Sequence, residues 1–383
     1  MKIIFLCGSL EPGRDGVGDY VRQLALELQR QGQQVAAIAL NDRHITEETV
    51  LAPLLAGEEL SVLRLPASWA ARRRFQRACQ WVEAFQPTWV SLQFVPYAFH
   101  PKGLPISLGS RLLRLTRGRQ VHLMMHEGWV GSEPGTGLKR RLLAQLQKMM
   151  VNNLIAQLRP AVIHTHLPVY RTRLQRLGWR ILPLPLFSNI PVLPHLSPET
   201  DPTIFRVGIF SQAATSGPFV DFLAALTTQL TERHPRCQVQ VLLVGGELTK
   251  MQALKKVLEV MVGLNGQVHH AGFLDPAQLS AALQSCQLGL TPVPRNGLGK
   301  SGSVAAFLAR GIPVAAPYVH PEAKATDIGF FSDDLCSAIL LHPDVELYRA
   351  AKAAAIVAQS TIQASVIART FLADLPAQLK LVE

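Results

Sequence analysis

Twice along this chain, short continuous apolar runs alternate with stretches of helical periodicity. A proline-rich segment separates the two series. In the first series the apolar runs are KIIFLCG (2–8), QVAAIAL (34–40), ELSVLRL (59–65), TWVSLQF (88–94), QVHLMMH (120–126) and AVIHTH (161–166). Between them, residues 17–31 place Val17, Tyr20, Val21, Leu24 and Leu28 on one helical stripe, and Gly32 stops the helix. Further helical stretches span about 68–86, 107–118 and 138–157. Continuous apolar strands alternating with helices call for a parallel sheet covered on both faces.

Residues 182–202 are dense in proline, which lacks the amide that a strand or helix interior needs, so this stretch reads as a linker. The pattern then restarts. Strands are expected at 205–210, 238–246, 267–273, 287–293 and 312–317, and helices at 218–232, 249–262, 276–286 and 301–310. Asp275 reads as an N-cap, with Pro276 at the first helical position. The expected organisation is a domain over 1–190, a second over 203–360, and a helical segment over 361–383 that could cross back to the first. This is an α/β chain of two Rossmann-like domains, with parallel sheets facing across a cleft between their carboxyl strand ends. A ligand is expected in that cleft.

Length and composition agree with this reading. The 383 residues suit two domains, and 48% apolar against 17% charged residues exclude disorder. No apolar run approaches the ~18 residues of a membrane span. The opening MKIIFLCGSLEPG is too short in apolar residues for a signal peptide. The five cysteines are scattered, which argues against a zinc ribbon or a disulfide scaffold and suits a reducing cytosol. The net charge of +11 is uneven: residues 1–190 hold 24 Lys and Arg against 12 Asp and Glu, and residues 191–383 hold 14 against 15. Such asymmetry suits an acidic partner for the first half: nucleic acid, anionic lipid or a phosphorylated substrate. A merely soluble basic surface has the same composition.

Two glycine-rich loops stand between strand and helix. Gly13 to Asp19 follows the first strand. Its amides and the helix start suit a phosphate or carboxylate, and a plain connecting turn is the alternative. It is not a dinucleotide fingerprint, because Val21 stands where the third glycine belongs. The second loop is Val293 to Ser303. Gly299-Lys300-Ser301 matches the end of a P-loop, but Pro294 occupies the place of its first glycine. What survives is an anion site built from glycines, Lys300 and two serines at a helix start, or a capped helix with Ser301 or Ser303 as the cap. A third feature, Met124 to Trp129, runs a strand into a loop and brings His126 and Glu127 to the ligand end of the sheet. His164 and His166 share one side of their strand, but without neighbouring Cys or carboxylate they make a weak metal set. Basic stretches at Arg72–Arg77, Arg111–Arg119, Lys139–Arg141 and Arg171–Arg180 interleave with Leu, Phe and Trp, a pattern suited to anionic headgroups. No RNA-binding aromatic signature or zinc finger supports nucleic acid.

Taken together, GVGDYVRQLALELQRQGQQV, MMHEGW and AGFLDPAQLSAALQSCQLGLTPVPRNGLGKSGSVAAFLARGIPVAAP resemble group 1 (family 4) glycosyltransferases of the GT-B fold over nearly the whole chain. The resemblance implies a nucleotide-diphosphate sugar held mainly by the second domain, an acceptor held mainly by the first, and no obligatory metal. It implies no cofactor beyond the nucleotide sugar as co-substrate. Two departures stand out. Where the family carries two glutamates eight apart, this chain has Leu298 and Ala306, which cannot accept a side-chain hydrogen bond. Where the family has a basic pair after the first strand of the second domain, this chain has Ser211 to Gly217, without charge.

The expected function is transfer of a sugar from a nucleotide-diphosphate donor to a glycan or lipid-linked acceptor, in making a surface polysaccharide or glycolipid. The enzyme would be cytoplasmic, peripheral on the inner membrane face, and would not bind nucleic acid. His126 and Lys300 are the expected catalytic pair, His126 orienting the sugar and Lys300 stabilising the leaving diphosphate. Donor contacts are expected from Gly16, Val17, Gly18, Glu127, Ser211, Gln212, Arg295, Gly299, Ser301, Gly302 and Ser303, and acceptor contacts from Asp19 and Tyr20. Two other classes stay open: a GT-B-fold sugar-nucleotide epimerase using His126, Glu127 and Asp19, and a catalytically silent binding subunit.

Overall fold

The computed structural model describes residues 1–51, 54–55, 58–129, 137–193, 201, 203–318 and 329–376. The chain divides into two compact units, Met1–Leu184 with Ala368–Glu383, and Pro185–Ile367.

Unit 1 carries β1 (Lys2–Cys7), β2 (Gln34–Asp42), β3 (Thr49–Leu51), β4 (Leu54–Leu55), β5 (Glu58–Glu59), β6 (Ser61–Pro66), β7 (Trp89–Phe94), β8 (Gln120–Met125), β9 (Val162–Thr165) and β10 (Leu182–Pro183). Its main sheet has the order β10-β9-β8-β7-β1-β2-β6-β3. All neighbours pair in parallel except β3, which runs antiparallel to β6 because the chain between them is too short for a crossover. β4 and β5 form a small antiparallel pair of their own. The proline-rich linker begins one element later than the sequence suggests. Leu182 and Pro183 pair with His164 and Thr165 as the edge strand, the one place in a sheet where a missing amide is tolerated.

The two faces of this sheet differ. One is apolar, with Ile4, Leu6, Val90, Leu92, Val121, Leu123 and Ile163 packed under the helices Ala71–Phe85, Leu108–Thr116 and Leu138–Leu158. Alternation puts Phe5, Ser91, Gln93, His122 and His164 on the other face. The last helix, Ala364–Asp374, lies against that face: the Phe371 ring meets Phe5 at 6.1 Å and His122 at 4.8 Å.

Unit 2 carries β11 (Ile204–Phe210), β12 (Gln238–Val244), β13 (Val268–Gly272), β14 (Leu288–Leu290), β15 (Val314–Ala315) and β16 (Ile339–Leu340), in the order β13-β12-β11-β14-β15-β16, all parallel. β14 is shorter than the 287–293 run suggests, since Pro292 and Pro294 cannot donate to a ladder. Asp275 caps the helix Pro276–Gln284 through a full capping box with Gln278. Strand order reverses between β1 and β7 in unit 1 and between β11 and β14 in unit 2. In open α/β sheets, ligands bind outside the carboxyl ends of the strands at such reversals.

Candidate functional site

In unit 1 the loop after β1 lies at the reversal. A Cβ at Gly8 would stand 2.6 Å from the Ala98 Cβ, so only glycine lets the chain pass the short helix Pro96–Phe99. Asp42, the buried last residue of β2, fixes this loop by accepting from Ser9 Oγ at 3.1 Å, Leu10 N at 3.2 Å and Arg64 Nε at 2.8 Å. Burial pushes the Asp42 carboxyl up, but the hydrogen bonds from Arg64, His44 and Leu10 outweigh it and hold the group below its ordinary value. Sequence reading missed Asp42; its only signal is an acid closing an otherwise apolar strand.

The expected phosphate loop splits into parts. Asp15 caps the helix Gly16–Arg30 by accepting from Gly18 N at 2.8 Å, and Asp19 accepts from Gly13 N at 3.0 Å. Gly18 is buried as a packing glycine, since a Cβ there would lie 2.7 Å from Ser9 O. Gly16 is exposed and its Cβ position is open, and Val17 is half-buried beside it. Tyr20 corrects the expectation of an acceptor contact. It is 1% exposed, and its ring packs edge-on against His126 at 5.1 Å and His166 at 5.3 Å. Helical spacing turns residue 20 inward with Leu24 and Leu28, so it supports the histidines from within the core.

His126 stands one residue past β8 and is buried. Its Nε2 lies 2.8 Å from Gln93 Oε1 and its Nδ1 lies 3.1 Å from His166 Nε2. Both ring nitrogens thus have protein partners, and orienting a sugar hydroxyl with this ring requires giving one of them up. Glu127 follows, half-buried at the same strand end. Burial pushes His166 down to about 4 and His122 well below the ordinary histidine value. Among the described residues no group of three or more His, Cys, Asp or Glu is arranged to hold a metal ion.

In unit 2 the loops after β11 and β14 flank the reversal, because these two strands pair directly. Ser211 and Gln212 are exposed, and Ser211 holds φ at 68°, a conformation uncommon outside glycine. After β14 the chain forms a 3₁₀ turn, Arg295–Lys300, then the short helix Gly302–Leu308. Ser301 caps that helix, accepting from Val304 N and lying 3.0 Å from Ser303 Oγ. Gly299 is buried, and a Cβ at Gly329 would stand 2.9 Å from its amide, whereas Lys300 and Gly302 are exposed. Gly302 and Ser303 stand in the first turn of the helix, where amides have no intrahelical acceptor. Arg295 is 7% exposed, and among the described residues its Nε has no acceptor. Leu298 and Ala306, which stand where the resemblance expects glutamates, are 1% and 0% exposed and belong to the apolar core of this unit.

Solved structures of similar fold span nearly the whole chain. Anabaena HepE in complex with UDP and glucose is 15% identical, with a TM-score of 0.58 over 97% of this chain and 98% of that one. A putative UDP-N-acetylglucosamine 2-epimerase from Listeria monocytogenes is 12% identical, with a TM-score of 0.57 over 97% and 95%. Sucrose-phosphate synthase from Thermosynechococcus elongatus is 16% identical, with a TM-score of 0.55 over 97% and 98%. The fold is GT-B. No protein-family model and no curated protein sequence matches the chain.

Within this GT-B chain the basic stretches separate by role. Arg74 donates to Leu40 O and Asn41, Arg77 donates to Glu48 at 2.7 Å, and Arg73 stacks on Trp69 at 3.5 Å. These arginines brace the fold, which corrects the view of Arg72–Arg77 as one headgroup-facing cluster. Leu112 and Leu115 are buried, while Leu113 and Leu142 are exposed. In unit 2, Arg310 is a structural residue that sequence reading passed over. It donates to Pro191 O and Ala306 O at 2.7 Å and to Ser280 Oγ at 2.9 Å, fastening the linker to this unit. No helix among the described residues is long and apolar enough to cross a membrane.

Proposed function

We propose that this GT-B chain moves a glycosyl unit from a nucleotide-diphosphate sugar, held by unit 2, to a hydroxyl of a surface-polysaccharide or glycolipid acceptor held by unit 1. Arg295 carries the reading. Among the described residues its buried guanidinium has no acceptor on Nε, which is costly, and it stands at the strand reversal where a ligand is expected. A diphosphate would satisfy it through charge-assisted hydrogen bonds. Lys300 and the first-turn amides of Gly302 and Ser303 add positive potential on the same loop, and Ser211 and Gln212 follow β11, the strand paired with β14. As the glycosyl bond breaks, negative charge grows on the leaving diphosphate, and these groups stabilise it without a metal.

Calorimetric titration with UDP tests this. Arg295→Met and Lys300→Ala are each expected to weaken binding at least about tenfold, about 1.4 kcal/mol, with the melting temperature kept. Equal affinity in both variants and wild type would overturn the donor site. One observation favours a second reading, a silent binding subunit: the two expected glutamate positions are core leucine and alanine. Product analysis with nucleotide sugars separates a new glycoside, an epimerised nucleotide and no product.

The acceptor side is further proposed to meet an anionic membrane at its cytoplasmic face. On the helix Leu138–Leu158, Leu138, Leu142, Leu146 and Met149 are exposed, at spacings that form one stripe. Lys139, Arg140 and Arg141 are exposed on the same helix. Nearby in sequence, Ile106 and Leu113 are also exposed. Arg72, Arg111, Arg114 and Arg117 line a groove of about 820 Å³. Apolar side chains flanked by basic ones suit a bilayer interface. Co-sedimentation with phosphatidylglycerol vesicles at low salt should capture the protein, and Leu142→Ser with Leu146→Ser should release it. Absence of binding at low salt would leave a soluble acidic acceptor as the account of the charge.

A further inference from the structure

The polar face of the unit 1 sheet holds one unbroken series of hydrogen-bond contacts. From one end, His166 Nδ1 lies 2.8 Å from Leu184 O, His166 Nε2 lies 3.1 Å from His126 Nδ1, and His126 Nε2 lies 2.8 Å from Gln93 Oε1. Gln93 Nε2 is 2.7 Å from Ser91 Oγ, which is 2.7 Å from His122 Nδ1. His122 Nε2 then lies 3.0 Å from His164 Nδ1, and His164 Nε2 lies 3.0 Å from Asp374 Oδ2. Each member except Asp374 is buried, and the Asp374 side chain is 30% exposed.

Each contact needs one hydrogen. Leu184 O and an ionised Asp374 supply none. Each neutral histidine supplies one, and Gln93 and Ser91 each direct one along the series. That makes six hydrogens for the seven contacts just named. With four neutral rings and a carboxylate, one contact must set two lone pairs against each other inside a buried network, where an unmet group is expensive. The shortage does not depend on which way the Gln93 amide is turned, since either orientation directs one hydrogen along the series. With Gln93 Oε1 towards His126, every contact is met when His126 carries the extra proton. With the amide reversed, every contact is met when the proton lies between His164 and Asp374.

We propose that this series is a proton-holding relay that keeps one extra proton near neutral pH, and that Asp374 acts through it as a positioning residue for the charge on His126. The proton comes from solvent at the Asp374 end and returns there. Only N–H and O–H bonds change as it moves, and turning the Gln93 amide decides which end holds it. Burial pushes His122 well below the ordinary histidine value and His166 down to about 4, so these two rings stay neutral. Asp374 closes its helix, where the macrodipole disfavours a carboxylate, so a cationic partner there is doubly favoured. Among the described residues, the titratable groups that face the series include Tyr20 from the helix Gly16–Arg30, Asp374 from the last helix, and the four histidines of β8, β9 and the residues that follow them.

Nitrogen-15 imidazole spectra of the full-length protein, labelled at histidine and assigned by single substitutions, test this without donor or acceptor. The relay can therefore fail while the transfer reading stands, and the reverse. At about pH 7.5, a unit above the ordinary histidine value, one imidazolium should persist among the four rings. Asp374→Asn supplies the seventh hydrogen from its own amide, so all four rings should become neutral. Asp374→Glu should restore the imidazolium. Gln93→Met cuts the series into two segments that each have enough hydrogens, so the imidazolium should vanish there with Asp374 still in place. Four neutral rings in the wild type, or an imidazolium that survives both Asp374→Asn and Gln93→Met, would overturn the relay.

Discussion

The two units share a doubly wound parallel plan but bury different chemistry. In unit 1 the strands bury Asp42, Arg64, Ser91, Gln93, His122, His164 and Thr165. In unit 2 the polar strand residues Arg206, Gln240, His269 and His270 are partly or fully exposed, and the buried strand positions are apolar. Unit 2 instead places its buried charges beyond its strands: Arg295 in the turn after β14, and Arg310 after the helix Gly302–Leu308, where it donates to Pro191 O, Ala306 O and Ser280 Oγ. A sheet face can hold polar side chains if they satisfy one another laterally, as across β7, β8 and β9. Off the sheet the outcome differs from residue to residue: among the described residues Nε has no acceptor in either arginine, but Arg310 is held within the unit through its terminal nitrogens, so the proposed donor site is built on Arg295. Stability in unit 1 should therefore answer to pH, and unit 2 should answer to anions.

The sharpest break of this contrast is acid. Burial lowers His166 to about 4 and lowers His122 as well. Each unfolded histidine binds its proton near 6.5, so protons favour the unfolded chain below that value. The stability from neutral His166 is complete above about 6.5 and lost as pH falls towards 4, on the order of 3 kcal/mol. All five tryptophans, Trp69, Trp81, Trp89, Trp129 and Trp179, lie in unit 1. Urea midpoints read by tryptophan fluorescence should fall with pH more steeply than those read by helical circular dichroism. Parallel curves would show that the buried histidines do not set acid sensitivity.

A smaller effect separates the two glycines of the first loop. Gly18→Ala drives a methyl against Ser9 O at 2.7 Å, a backbone atom that Asp42 helps hold, and should cost about 1–3 kcal/mol. Gly16→Ala meets open space and should stay within about 0.5 kcal/mol. Denaturant titration of both variants checks the difference, and equal midpoints would mean the loop shifts freely. In unit 2, Ser301→Ala removes a helix cap and should cost about 1 kcal/mol in thermal stability. UDP affinity should change little, because that hydroxyl already serves the helix; a loss matching Lys300→Ala would return Ser301 to the phosphate. The smallest expected effect is that of EDTA on UDP binding: none. Loss restored by magnesium would place a metal in the donor site.

Alternating apolar strands and helices, with a proline-rich break, made two parallel-sheet units legible in the sequence, because burial on both faces leaves a continuous apolar run there. Asp275 and Ser301 were legible as caps for a local reason: a cap bonds to amides two or three residues away. Leu298 and Ala306 were visible as departures from an expected pattern, but their burial was not. Tyr20 stands on the apolar stripe of its helix, so spacing alone already pointed it inward, against the acceptor role expected of it; Arg310 carried no such mark, since composition does not show what covers a side chain. The histidines were seen one strand at a time, as His126 and as His164 with His166. Only the lateral pairing of β7, β8 and β9 set them in one hydrogen-bonded series, and only the return of the last helix brought Asp374 to its end, 210 residues from His164 in sequence. The sequence by itself determined the strand-helix alternation and the charge imbalance, because these depend on neighbours along the chain. The tertiary structure decided which polar groups meet, because hydrogen bonds across a parallel sheet join residues that no periodicity connects.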